Sequence, residues 1–132
     1  MKIGIDLGGS HIGIGIVENN GKIIEKVEKR FMSKEKKDIK NSIESYMIEN
    51  IKKMQEKYKI TEIGIAIPGT ISKNIINKSV NLGLRDYNII ENLQKEIKLP
   101  IKIRNDAKCA AIAESRYGVL KPYERSIFLT LG

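Results

Sequence analysis

Asp6-Leu7-Gly8-Gly9-Ser10, near the start of the chain, combines a carboxylate, two glycines and a hydroxyl. Glycines let the backbone approach a ligand closely, and successive N–H groups in such a turn can bind phosphate oxygens. Asp6, at the end of a predicted strand, could hold Mg²⁺, usually through water. The segment is therefore a candidate phosphate and metal site, although a simple hairpin turn would use the same glycines.

Asn105-Asp106-Ala107 stands where a predicted strand meets a predicted helix. Asn and Asp are favoured helix N-caps, which accounts for one polar residue at this position but not for two. The positive end of a helix dipole attracts a carboxylate, and Asp106 could act there as general base towards a hydroxyl. If the first and fifth strands end at one cleft, Asp6 and Asp106 meet across it.

Residues 68–70 (Pro-Gly-Thr) and 81–83 (Asn-Leu-Gly) are turn-forming sequences, and each alone is typical of a structural turn. Gly69 could bring backbone N–H groups to a ligand. Asn81 offers both a donor and an acceptor, which suits sugar hydroxyls. The single histidine, His11, is interpreted as a surface or capping group, and the single cysteine, Cys109, as a packing residue.

These segments must be positioned by alternating strands and helices. Apolar runs and alternation predict strands at 1–7, 12–17, 22–31, 63–67, 101–104 and 126–131, with the fourth buried on both faces. Three- and four-residue spacing predicts helices from 33 or 34 to 58, at 89–98, and at 105–117 with Gly118 as C-cap; residues 68–87 are expected to form a loop. The order βββ-α-β-α-β-α-β predicts an α/β fold with a mixed sheet of the ribonuclease H-like type, as in actin and hexokinase domains.

The composition describes an ordinary globular chain of one domain, with 132 residues, 41% of them apolar. One cysteine excludes an intramolecular disulfide, and no run approaches the ~20 apolar residues of a membrane span. The net charge of +8 comes from 19 Lys and 5 Arg interleaved with acidic residues, which favours a solvated surface over a nucleic-acid interface. With no signal peptide ahead of the first strand, we expect a cytoplasmic protein without membrane contact.

Taken together, the four segments resemble the ROK family (repressors, open reading frames and kinases) of sugar kinases. The resemblance implies an enzyme similar to glucokinases in carbohydrate metabolism and glycolysis, which transfers the γ-phosphoryl group of ATP to a hexose hydroxyl. Asp106 would be the general base and, with Asn105, Gly69 and Asn81, would contact the sugar. In addition, the phosphate turn Gly8-Gly9-Ser10 would lie along the transferred phosphate, and Asp6 would lie near Mg²⁺, through water.

The same resemblance implies that residues 1–132 are the N-terminal domain of a two-domain kinase. A C-terminal domain would supply a second phosphate loop, the adenosine site and, in many members, a structural zinc site. We therefore expect the 132-residue chain alone to be inactive and the whole protein to be a homo-oligomer, such as a dimer. DNA binding of the kind found in repressors is not expected, since Met1 runs directly into the first strand.

Two other functions fit parts of the sequence. A small ribonuclease H-like nuclease would share the fold, the basic charge and Asp6, but needs three or four acidic residues around two metal ions. A non-catalytic sugar-binding or assembly module would keep the fold without turnover.

Overall fold

The computed structural model describes residues 1–130, in which eight strands and four helices are formed. The strands are β1 (Lys2–Leu7), β2 (His11–Val17), β3 (Ile23–Arg30), β4 (Glu62–Ile67), β5 (Thr70–Ser72), β6 (Ile75–Ser79), β7 (Leu84–Tyr87) and β8 (Ile101–Asn105). The helices are α1 (Ser33–Lys36), α2 (Ile39–Lys57), α3 (Ile89–Gln94) and α4 (Asp106–Tyr117). No helix in this part of the chain is long and apolar enough to cross a bilayer.

Five strands form the central sheet, in the order β3-β2-β1-β4-β8. The pairs β1–β2 and β2–β3 are antiparallel, whereas β4 lies parallel to β1 and β8 parallel to β4. This topology confirms the predicted α/β fold with its mixed sheet. Because β1, β4 and β8 are parallel, they end at one edge of the sheet, where residues 8–10, 68–70 and 105–107 begin.

One face of the sheet holds the core. Side chains alternate along a strand, and the residues on this face are almost all isoleucine, at positions 3, 5, 12, 14, 16, 63, 65 and 67. Helix α2 covers them with the predicted apolar stripe, of which Ile43, Met47, Ile51 and Met54 are buried. Each fully buried side chain of this size contributes about 1.5–3 kcal/mol, so this layer stabilises the frame that carries the turns.

The opposite face of the sheet is largely bare. Register places Gly4 beside Gly15 on one side and Gly64 on the other, so that no side chain stands at the centre of this face. An open groove of about 680 Å³ lies there, with α4 along one wall. Gly64 is exposed, and the prediction that β4 is buried on both faces is therefore wrong.

The prediction of a loop between β4 and α3 is also wrong, because this segment folds into a small antiparallel sheet in the order β5-β6-β7. The phenol of Tyr87 at the end of β7 donates to the carboxylate of Glu44 on α2. The amide of Asn92 on α3 donates to the same carboxylate at 2.8 Å. These contacts fix the small sheet, and the turn that contains Asn81, to the main body.

Three further elements differ from the predictions. The helix predicted at 89–98 ends at Gln94, as α3. The long helix is divided into α1 and α2, with a break at Lys37 and Asp38. The predicted strand 126–131 is absent from residues 126–130, where Ile127 and Leu129 are exposed and no sheet partner is present; Leu131 lies outside the described residues. A strand is stable only when it pairs with a neighbour, and this segment makes no such ladder.

Candidate functional site

The turn between β1 and β2 is closed by the N–H of Gly8, which donates to the His11 carbonyl oxygen at 2.8 Å. A Cβ at position 8 would lie less than 3.0 Å from the His11 ring, so the imidazole covers this glycine. A Cβ at position 9 would lie 3.0 Å from the Cβ of Asn81. The candidate phosphate turn is thus in direct contact with a candidate sugar residue that is distant in the sequence.

Asp6 lies at the end of β1 with 68% of its side chain exposed. Its Oδ2 is 3.7 Å from His11 Nε2. Mg²⁺ typically keeps several waters and uses one or two carboxylates together with substrate phosphates, so one accessible carboxylate beside a glycine turn fits that ion. Within residues 1–130 no group of three or more His, Cys, Asp or Glu side chains gathers at one point, which gives no support to a two-metal nuclease.

Gly69 occupies a position that no other residue can take without strain. Its φ is +124°, and a Cβ there would lie well within 3.0 Å of the Lys78 carbonyl oxygen and 3.0 Å from the Ser79 Cα. The close approach joins the end of β4 to β6. A cavity of about 280 Å³ lies beside it, between residues 68–70 and 78–81. Gly69 and Asn81 therefore share one concave site, as a common ligand would require.

Asn105 links this site to helix α4. Its Oδ1 accepts from the Lys108 N–H at 3.3 Å, which caps the helix as predicted. Its Nδ2 donates to the Gly69 carbonyl oxygen at 3.0 Å. One donor and one acceptor position of the amide stay available, so Asn105 can orient Gly69 and still contact a ligand.

Asp106 is the first residue of α4 and is partly buried. Its Oδ1 accepts from the Ala107 N–H at 2.8 Å, which fixes the side chain and leaves Oδ2 as the other acceptor. The pKa of the nearby Cys109 thiol is raised, mainly by burial. Arg104 lowers that pKa, whereas Asp106 and Asp6 raise it, so all three charges lie within electrostatic range of this thiol at the first turn of α4.

Sequence reasoning missed Ser79 and Arg104. The Ser79 hydroxyl is buried beside Gly69 and has no hydrogen-bond partner among the described residues. Arg104 lies on the open face of the sheet, where it lines the groove together with Asp6. The alternation of Ile101 and Ile103 with charged residues in β8 is the signal that could have identified Arg104 as a groove residue.

A model of the ROK family matches residues 2–132. A glucokinase of Halalkalibacterium halodurans is 29% identical over 137 residues, which cover 98% of this chain and 41% of the relative. A xylose repressor of Bacillus spizizenii is 28% identical, with 98% of this chain and 34% of the repressor covered. The chain thus spans about two fifths or less of the length of these relatives.

Solved structures share the fold. A ROK family glucokinase from Streptomyces griseus, in complex with glucose and AMPPNP, has a TM-score of 0.76 at 22% identity, over 89% of this chain and 37% of that one. RuvC of T. thermophilus, in complex with a Holliday junction substrate, has a TM-score of 0.52 at 16% identity, over 89% and 73% of the two chains. At these identities the likeness concerns the fold alone.

Proposed function

This chain belongs to the ROK family, and from that premise we propose that it is the N-terminal domain of a two-domain, ATP-dependent sugar kinase. The enzyme transfers the γ-phosphoryl group of ATP to a hexose hydroxyl, as a glucokinase does. The observation that carries this proposal is the convergence of four separate segments, in which Gly9 contacts Asn81 and Asn105 binds the carbonyl oxygen of Gly69.

In the reaction, the hexose hydroxyl oxygen attacks the γ-phosphorus, a new P–O bond forms, and the bond to the β–γ bridging oxygen breaks to release ADP. Asp106 accepts the hydroxyl proton on Oδ2, because Oδ1 already accepts a hydrogen bond from the Ala107 N–H. Phosphoryl transfer depends mainly on positioning and on neutralising charge, so fixed turns supply most of what the protein must contribute.

The sugar is held by Asn81, Gly69 and Asn105 together with Asp106. The exposed position of Asn81 beside the cavity at Gly69 supports this assignment, because both residues reach the same space. Gly8, Gly9 and the hydroxyl of Ser10 lie along the transferred phosphate, while the N–H of Gly8 holds the turn closed on His11. Asp6 would hold Mg²⁺ through water, and the bound ion would supply neutralisation of the phosphate charge.

The 132-residue chain by itself is inactive in this proposal, because it spans only about 41% of a glucokinase relative and the rest of the ligand contacts lie elsewhere. The whole enzyme is a homo-oligomer. Because one of the relatives is a repressor, the experiment must exclude a protein that binds a sugar but does not phosphorylate it.

The test is ADP release by the full-length protein with ATP, Mg²⁺ and each of a panel of hexoses, beside the purified 132-residue chain. We expect sugar-dependent ADP release by the full-length protein with at least one hexose and none by the short chain. Hexose binding without ADP release in the full-length protein would contradict kinase function and favour a sensor or repressor.

A further inference from the structure

One row of residues crosses the open face of the central sheet just before its strands end. Register pairs Gly13 with Asp6, Asp6 with Ala66, and Ala66 with Arg104. Neighbouring strands lie about 4.8 Å apart, so the Cα atoms of Asp6 and Arg104 are separated by about 10 Å. Ala66, between them, carries only a methyl group. A carboxylate and a guanidinium therefore line one groove with a gap between them.

Asp6 and Arg104 do not form an ion pair with each other, and neither forms a close ion pair with another described residue. Within residues 1–130, Arg104 has no carboxylate within 4.0 Å, and His11 at 3.7 Å is the only ionic partner of Asp6. Lys102 lies on the same face of β8, two residues before Arg104, and pairs with Glu62 at 3.7 Å. Arg104 is thus an accessible cation at the end of the sheet where the glycine turn and Asp106 lie.

We propose that Arg104 binds the terminal phosphates of the nucleotide, across the gap from Asp6. This inference deepens the proposed kinase function and rests on it. A guanidinium presents planar donors that match phosphate oxygens in pairs, and it remains charged at any physiological pH. Charge develops on the phosphate oxygens during transfer, and a cation on this side of the phosphate chain neutralises it.

The position of Arg104 in the chain supports this role. It precedes Asn105 and Asp106 directly, so the strand that positions the general base also positions the guanidinium. The methyl group of Ala66 leaves the space beside it open. Arg104, Asp106 and Asp6 all act on the pKa of the Cys109 thiol, so the three charges lie within electrostatic range of one residue at this end of the sheet.

The test uses the full-length protein and three variants, Arg104→Gln, Arg104→Lys and, as matched control, Lys102→Gln. Calorimetry gives dissociation constants for a non-hydrolysable ATP analogue, for ADP and for the hexose that the wild type phosphorylates or binds. We expect Arg104→Gln to weaken the ATP analogue at least about tenfold, the effect of one charge-assisted hydrogen bond. In the same variant, binding of ADP is weakened less, and the dissociation constant for the hexose stays within about twofold of wild type. Arg104→Lys recovers part of the lost affinity for the ATP analogue, and Lys102→Gln changes none of the three constants by more than about twofold.

Three results would overturn the inference: an ATP-analogue constant within about twofold of wild type for Arg104→Gln, an equal loss for the analogue and the hexose, or an equal loss in Lys102→Gln. Far-ultraviolet circular dichroism tests whether each variant is folded. If Arg104→Gln does not fold, Arg104→Lys, which preserves the charge, is measured in its place. A wild type that binds the analogue but phosphorylates no hexose would refute the proposed function while leaving the role of Arg104 measurable. A wild type that does not bind the analogue would refute both.

Discussion

Replacement of Gly69 by alanine tests the geometry that joins the turn after β4 to the small sheet. Gly69 has a φ of +124°, in a region that residues with a Cβ rarely adopt. The added Cβ would also lie well within 3.0 Å of the Lys78 carbonyl oxygen, which belongs to the backbone of β6 and cannot rotate away. Gly69→Ala therefore combines backbone strain with a steric clash.

The expected loss can be worked from these two causes. A residue forced into a sparsely populated backbone region costs about 1–3 kcal/mol, and overpacking that displaces backbone costs about 1–3 kcal/mol more. We expect Gly69→Ala to lower the free energy of unfolding by about 3 kcal/mol. With a urea slope of about 1.5 kcal/mol/M, this moves the unfolding midpoint down by about 2 M.

Two other glycines separate the causes. Gly83 has a φ of +64° but no atom within 4 Å of an added Cβ, so Gly83→Ala measures strain alone, about 1 kcal/mol. Gly64 lies in β4 with neither strain nor contact, so Gly64→Ala is neutral or slightly stabilising. The chain has no tryptophan, and urea unfolding is therefore followed by far-ultraviolet circular dichroism. A Gly69→Ala midpoint no lower than that of Gly83→Ala would refute the close approach between residue 69 and β6.

Two further predictions concern the contacts that fix the site. Asn105→Ser keeps the cap on Lys108 but loses the donor to Gly69, so we expect a loss of about 1 kcal/mol, against about 2 kcal/mol for Asn105→Ala, which loses both; urea unfolding of the two variants distinguishes them. The pKa of Tyr87 is raised far above its usual 10.0, first by burial and then by the Glu44 carboxylate. The folded state then keeps the phenol proton that the unfolded chain releases, so stability is fully present below pH 10.0 and falls as the pH rises above it. Thermal unfolding between pH 8 and 11 should show a steeper loss above about pH 10 in wild type than in Tyr87→Phe, and parallel profiles would show that Tyr87 is not the group responsible.

Helix α4 and the central sheet follow directly from the sequence. Asn105 and Gly118 are strong local signals at the two ends of one helix, and the Ile-rich strands alternate with period two. The match of local signals to the final structure explains why the fold, and the residues at the ends of β1, β4 and β8, could be predicted together.

The small sheet β5–β7 could not be predicted in the same way. Its strands have three, five and four residues, include charged residues such as Lys78, Arg85 and Asp86, and are stabilised by contacts with α2 that are distant in sequence. The hydrogen bond from Asn105 to Gly69 depends likewise on a register between β4 and β8 that no local pattern encodes. Long-range contacts decide these features, and a single sequence does not display them.

The most direct test of the kinase account is Asp106→Asn in the full-length protein, measured as kcat for hexose phosphorylation beside the dissociation constant for the hexose. A matched control is Asp38→Asn, which changes an exposed aspartate at the N-terminus of α2, on a helix that covers the core face of the sheet. We predict that Asp106→Asn lowers kcat by about 10²–10⁴-fold with a hexose dissociation constant within about threefold of wild type, while Asp38→Asn retains full activity. A kcat within tenfold of wild type in Asp106→Asn would contradict the assignment of Asp106 as the general base.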